Sequence, residues 1–348
     1  MRWWRGCALA TVIVLAAAVA GPLDAAPFSG QTLRVQFWPG ATASAIQKYI
    51  VDPFVKKTGA NVVVEYGNTS NSIAKARAQK NDPQLDVLFM DDVGVLTLAR
   101  EGILEQLDLG KLPHAREIYA GYIVGDRYGM GVFSYAVTLL YNNKVLPSPP
   151  TSWRDLWDAR YRGKILGPPA NITQALLLTV MAAKLGGGGL DNLDPAWGML
   201  RQLKPNIHSF PQNFAIAAEL MKSGEAVMTV NTIPQFKAYI EQGYPIAPAY
   251  PKEGYFATTS AVVLVRGSKA RRDLAYAFID EALTPEAQGG VAEQLWYSPT
   301  NPRAPVSPAT RKYIVTPTQY RKAIPLDLEK LLKARPQIID QWNKIFTQ

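Results

Sequence analysis

The sequence predicts an α/β protein of two lobes, each a mostly parallel sheet flanked by helices. Three observations predict this. Between Leu33 and Gly102, strand-like runs alternate with helix-like runs, the pattern of a sheet built from crossover units. One of these runs, Leu85-Asp-Val-Leu-Phe-Met90, is largely apolar, as a strand covered on both faces must be. The roughly 320 residues after the N-terminal segment also exceed one comfortable core, so two lobes follow.

The elements read in order. Leu33-Arg-Val-Gln-Phe-Trp38 is a strand stopped by Pro39-Gly40. A helix over about 43–57 places Ile46, Tyr49, Ile50, Phe54 and Val55 at helical spacing and ends at Thr58-Gly59. Asn61–Tyr66 is the second strand, and the polar turn after Gly67 caps a helix over 72–79. The third strand ends at Asp91-Asp92, and a helix over 93–101 closes at Gly102. The pattern then changes. Residues 129–141 are strand-rich and aromatic, and Pro147-Ser-Pro-Pro150 reads as a linker. A second α/β unit follows: a short helix at 153–157, Lys164-Ile-Leu, helices over 173–185 and 214–222, and a strand over 226–230. Residues 255–265 form a strand returning to the first lobe, followed by a helix over 270–283. The tail, 326–346, is helical, with Leu328, Leu331, Leu332 and Ile339 on a docking face. No internal repeat is present.

The first 26 residues carry an address. Arg2 and Arg5 precede an apolar run from Ala8 to Ala20, and small residues offer cuts after Ala20 or Ala26. This is a secretory signal, too short to span a bilayer. Its removal lowers the formal charge from +9 by one and takes away Cys7, the only cysteine. An exported chain without disulfides is held by its core alone. Lys and Arg are scattered rather than striped among aromatics, so nucleic acid is not expected. No second apolar stretch is long enough to cross a membrane.

Polar and aromatic groups collect where strands give way to helices: Trp38, Thr69 and Ser70, and Asp91 with Asp92. In open α/β sheets those carboxyl ends form the ligand crevice. Asp91 and Asp92 put two carboxylates at one strand end, where one of them can hold an amine or hydroxyl while the ordinary role is a helix cap. The helix beginning near Asn171 and Thr173 offers free backbone N–H groups, a ready anion site. Thr258, Thr259 and Ser260 offer three hydroxyls. Trp38, Tyr66, Phe133 and Tyr135 are candidate aromatic walls, with Trp38 first, and Ser134 and Asn231 complete the candidate ligand contacts. Trp153, Trp157, Trp197, Trp296 and Trp342 read as packing.

Several stretches together resemble a known family. They are Phe54-Val-Lys-Lys-Thr-Gly59 with Val62–Tyr66; Leu85–Asp92 running to Arg100-Glu-Gly-Ile-Leu104; Thr151-Ser-Trp-Arg-Asp-Leu-Trp157 with Tyr161-Arg-Gly-Lys164; and Tyr250-Pro-Lys-Glu-Gly254 with Ser298-Pro-Thr-Asn301. The ordered set is similar to the periplasmic substrate-binding proteins of ABC importers, in the branch of the spermidine/putrescine binders. The resemblance implies a type II periplasmic binding protein fold: lobe 1 from 27–138 and 262–300, lobe 2 from 139–261 and 301–348. It implies a monomer that grips a small-molecule ligand by hinge closure, docks on an inner-membrane permease, catalyses nothing, and needs no cofactor or metal.

The resemblance also implies ammonium groups held by carboxylates and aromatic faces. This chain departs from the polyamine pattern, with Asn171-Ile172, Ala257-Thr258-Thr259 and Val230 where the family's polyamine binders carry acids or aromatics. The expectation is therefore a small polar solute with an amine-like and a carboxylate-like end. The rivals are a polyamine held by Asp91, Asp92 and Glu253, and ferric iron, for which the adjacent tyrosine pair of related binders is missing. An exported hydrolase lacks support: His114 and His208 have no metal-ligand partner at helical spacing, and no Gly-x-Ser-x-Gly occurs.

Overall fold

The computed structural model describes residues 26–315, 317–320 and 322–346. The expected signal segment, apart from Ala26, lies outside them.

Strand β1 (Thr32–Phe37) leads into α1 (Ala41–Ile46), which continues through one π-helical turn into α2 (Asp52–Thr58). Gly59 ends that run at φ 69°, a left-handed cap that glycine adopts without a Cβ penalty. Then come β2 (Asn61–Tyr66), α3 (Thr69–Ala78), β3 (Val87–Asp91) and α4 (Asp92–Arg100). After β4 (Ile123–Val124) comes β5 (Gly129–Asn142), a single strand of 14 residues. The second unit holds β6 (Ile165–Leu166), α5 (Thr173–Leu185), α6 (Asp194–Leu203), β7 (Ile207–Ser209), α7 (Phe214–Ser223), β8 (Met228–Asn231), α8 (Lys237–Glu241) and β9 (Ile246–Ala249). The chain returns through β10 (Phe256–Leu264), α9 (Arg272–Ala282), α10 (Pro285–Leu295) and β11 (Ser298–Pro299). It ends with α11 (Pro308–Arg311), α12 (Pro317–Tyr320) and α13 (Leu328–Phe346).

The strands follow the order β2-β1-β3-β10-β5-β8-β6-β7. The sheets are mixed rather than mostly parallel. β1 runs parallel to β2 and β3, and β6 runs parallel to β7 and β8, as strand–helix alternation demands. β10 runs antiparallel to β3 and β5, and β5 antiparallel to β8 and β9. The cause is the route of the chain. β5 carries it out of the first sheet and β10 carries it back, so each enters its neighbours in reverse. The two ends of β5 serve different partners: Met130–Val137 pairs with β10, while Thr138–Asn142 pairs with β8 and β9.

Each half has its own core. Leu33, Val35, Phe37, Phe89 and Phe278 anchor the first, and Trp153, Leu177, Met181, Leu200 and Ile338 the second. α5 is buried all round, from Ala175 to Ala183, because α6 and α13 pack on it. Its apolar run is core packing, and no helix among the described residues is long and apolar enough to cross a membrane. The five tryptophans read as packing behave so where contacts define them. Trp153 is fully buried, Trp296 stacks on Tyr313 at 4.0 Å, and Trp342 packs edge-on against Phe210. α6 and α10 have no counterpart in the sequence reading; in α10 two adjacent glycines interrupt the periodicity, while α6 carries Ala196, Leu200 and Leu203 on a buried face behind an opening proline.

Candidate functional site

The carboxyl ends of β1 and β3 and the middle of β10 meet the start of α5 across two adjoining cavities. The larger, about 560 Å³, is lined by Thr69 and Ser70 of α3, Asp91 and Asp92, Thr258, Asn171 and Thr173 at the start of α5, and Arg335 of α13. The smaller, about 250 Å³, is lined by Thr42, Phe133, Thr232, Gln235, Ser260 and Tyr297. Trp38, Asp91 and Tyr135 border both.

Local sequence explains these placements. Asn68 caps α3 by accepting from the Asn71 N–H at 2.9 Å, so this helix starts three residues earlier than periodicity suggests and presents Thr69 at its first position. Gly94, in the first turn of α4, lets α3 approach: a Cβ there would meet Thr69 Cγ2 at 2.6 Å. Thr69 can therefore reach Asp91, donating from its hydroxyl to Oδ2 at 3.2 Å. Ser260 Oγ donates to Asp91 Oδ1 at 3.1 Å.

Asp92 turns the other way. Its Oδ2 accepts from the Thr259 backbone N–H at 3.0 Å and its Oδ1 from the Val93 N–H at 2.8 Å. Neither aspartate side chain caps α4 across its first turn. Neither makes an ion pair among the described residues. Burial raises the pKa of Asp91, against the pull of its two hydroxyl donors. Burial also pushes Asp92 up to about 7, with the charge of Asp91 adding to the effect. Burial likewise raises the Tyr135 phenol well above its usual range, with both aspartates contributing.

This has a consequence for pH. In the unfolded chain Asp92 ionises near its ordinary value, while the fold keeps it protonated to about 7. Between those values the native state binds the extra proton, so stability falls as pH rises and levels off above about 7. A melting series from pH 5 to pH 8 should show the midpoint of the ligand-free protein decline. Asp92→Asn should flatten that decline, and an unchanged slope in the variant would remove Asp92 as its cause.

The opposite wall carries one cation, Arg335, among leucines of α5 and α13. α5 starts after Ile172 with no side chain capping it, which leaves backbone N–H groups toward the cavity. Arg335 Nη2 donates to the Asn171 carbonyl at 3.1 Å, fixing a guanidinium beside that helix start. No local pattern marks Arg335; only the packing of α13 against α5 brings it there. Thr42 and Tyr297 were likewise unmarked, and they hydrogen-bond each other.

Other expected contacts lie elsewhere. Ser134 is buried and its hydroxyl meets Tyr122 Oη at 3.1 Å. Side chains alternate along a strand, so with Phe133 and Tyr135 on the cavity, Ser134 faces away. The same alternation turns Thr259 inward between Thr258 and Ser260; it serves the site through its backbone N–H alone. Asn231 is buried, with Oδ1 accepting from the Thr232 N–H and from Gln174 Nε2. Tyr66 is 60% exposed and leans edge-on against Phe37. Glu253 accepts from Ser152 Oγ and the Trp153 N–H, holding a loop rather than lining either cavity. His114 pairs with Asp280 at 2.7 Å and His208 with the neighbouring Ser209. Among the described residues no cluster suited to a metal ion occurs.

A family model for bacterial extracellular solute-binding proteins matches residues 49–317. The chain belongs to the bacterial extracellular solute-binding protein family. It is 27% identical over 223 residues to spermidine/putrescine-binding periplasmic protein 1 of Haemophilus influenzae, a match covering 59% of each chain. It is 22% identical over 271 residues to a putative 2-aminoethylphosphonate-binding periplasmic protein of Salmonella typhimurium, covering 75% of each. An ABC transporter crystal structure from Clostridium perfringens superposes with a TM-score of 0.80 at 26% identity, over 90% of this chain and 99% of that one. The fold is thus that of the solute-binding proteins.

Proposed function

We propose that this protein is a periplasmic receptor of an ABC importer. It captures a small solute with an ammonium end and an anionic end between its lobes and delivers it to an inner-membrane permease. The observation that carries the reading is the pair of buried, cation-less carboxylates on one wall of a cavity whose other wall is an uncapped helix start beside a guanidinium. A buried carboxylate without a counter-charge is costly, and a ligand ammonium relieves that cost. Trp38 and Tyr135 line the same spot, and an aromatic ring beside an ammonium can add cation–π attraction. Helix N–H groups and Arg335 suit a carboxylate or phosphonate.

The relatives are consistent with this reading. The names of two of them specify spermidine or putrescine and 2-aminoethylphosphonate, all amine-bearing. Aminoethylphosphonate also has the anionic end. The carboxylates point to different donors, which suits holding a ligand better than sharing a proton in catalysis.

Thermal shift of the mature protein against amino acids, polyamines, phosphonates and ferric salts tests the proposal. A ligand at a hundred times its Kd adds about 2.7 kcal/mol to the folded state. Amino acids with a terminal amine and aminophosphonates should raise the melting temperature. A shift with polyamines alone would replace this reading by the polyamine one, and a shift with ferric salts alone would discard both.

A further inference from the structure

Cations scattered along the sequence gather at one edge of the second unit. β6 sends its carboxyl end toward Asn171 and Thr173 at the larger cavity, so the amino ends of β6, β7 and β8 lie at the opposite edge. Arg162 and Lys164 lead into β6, and Lys204 leads into β7. Backbone bonds hold the two approaches side by side. The Gly163 N–H donates to the Pro205 carbonyl at 3.1 Å and the Lys164 N–H to the Asn206 carbonyl at 3.0 Å. Arg201, in the last turn of α6, stands at helical spacing from Lys204. On the other side, the Val227 N–H donates to the Lys164 carbonyl at 2.8 Å and the Asn142 N–H to the Val227 carbonyl at 2.9 Å, which brings in the turn over 143–146 with Lys144.

Lys144, Arg162, Lys164, Arg201 and Lys204 are all exposed, and none makes an ion pair among the described residues. Of the acids beside them, Asp158 is paired with Arg160 and Glu219 with Lys222, which leaves Glu225. None of the five cations lines either cavity. Val145, 48% exposed, sits among them: Lys164 Nζ donates to the Gly224 carbonyl at 3.4 Å, and a Cβ on Gly224 would meet Val145 Cγ2 at 3.3 Å.

The strands run in the order β5-β8-β6-β7, and neighbours are about 4.8 Å apart, so these charges extend over about 14 Å. A single small anion needs donors that converge, and a protein interface concentrates on aromatic anchors. A row of cations around one aliphatic tip suits a plane of anionic headgroups, with the valine at the acyl boundary. We infer that this edge docks on the anionic surface of a phospholipid bilayer. Such docking keeps the receptor beside the membrane that holds its permease, a role that rests on the importer reading.

Co-sedimentation of the mature protein with vesicles tests the docking without solute or permease, so its failure is distinct from failure of the importer reading. Vesicles of one part phosphatidylglycerol to three parts phosphatidylcholine should bind at low salt at least tenfold tighter than phosphatidylcholine alone, and added salt should screen the difference away. Each cation at an anionic surface contributes about fivefold in affinity. The combined Arg162→Glu, Lys164→Glu and Lys204→Glu variant should therefore lose at least thirtyfold. If that variant melts early, glutamine at the same three positions should lose at least tenfold. Lys48→Glu, Lys56→Glu and Arg116→Glu together change the net charge equally at exposed positions of the first unit, and should lose less than threefold. Equal losses in the two variants would assign the binding to net charge and overturn the inference. Absence of binding to the anionic vesicles would overturn it as well, and binding to soluble polyglutamate in its place would point to an acidic protein.

Discussion

Asp91→Asn should weaken binding of an ammonium-bearing solute roughly 30-fold or more while leaving the ligand-free protein at least as stable as the native one. The two effects have opposite signs because they concern different states. Without ligand, the carboxylate is buried beside a second acid with only hydroxyl donors for company, and burial raises its pKa. A neutral amide of the same shape keeps acceptor capacity for Thr69 or Ser260 and sheds the desolvation cost. With ligand, the amide leaves the ammonium without its counter-charge. Truncating one partner of a buried charge pair costs about 2–5 kcal/mol, and about 1.4 kcal/mol is a decade of affinity. Melting and titration of one preparation check both signs. Lost stability together with retained affinity would show Asp91 to be a structural acid.

Trp153→Ala should cost the largest amount of folding free energy, about 3–5 kcal/mol by the usual scale for a fully buried aromatic. The ring fills the second core edge-on to Phe256, and Nε1 donates to the Gly254 carbonyl at 2.8 Å. Its backbone N–H donates to Glu253 at 3.1 Å, where Ser152 Oγ also donates. Removing the ring therefore opens a void and loosens the approach to β10, which carries Thr258, Ser260 and the Thr259 N–H to the site. Urea unfolding should show a large drop in midpoint. Trp157→Ala is the internal comparison. That ring is half-buried, with Nε1 donating to the Met199 carbonyl, so its loss should be smaller. Equal losses at both positions would contradict the packing assigned to Trp153.

The first three strands and their helices were legible because their signals are local. Alternating periodicity, Gly59 and the Pro39-Gly40 stop need no partner from elsewhere in the chain. The strand-end residues Trp38, Thr69, Ser70, Asp91 and Asp92 were legible for the same reason: the carboxyl end of a strand in an open sheet faces the crevice wherever its partners come from. Asn171 and Thr173 followed from one helix start. Ser134 and Thr259 show the limit of reading by neighbourhood. Strand alternation assigns their side chains to the face away from Tyr135 and Thr258, but only once the register against β10 and β11 shows which face is which. Arg335 and Tyr297 were invisible because tertiary contacts alone bring their segments to the site, whereas Thr42 sits at the start of α1 just after β1, within the same strand-end pattern as Trp38. Glu253 entered only with the polyamine alternative, and an acid near a return strand looks the same in sequence whether it meets a ligand or, as here, the Trp153 N–H.

Calorimetry on the native mature protein with three solutes of equal chain length, 5-aminovalerate, cadaverine and glutarate, tests the central claim of a cleft with an acidic wall facing Arg335. The aminovalerate, matching both walls, should bind tightest, with cadaverine weaker and glutarate silent. Glutarate binding tightest, or no heat from any ammonium-bearing solute, would contradict the assignment of Asp91 and Asp92 to the solute's cationic end.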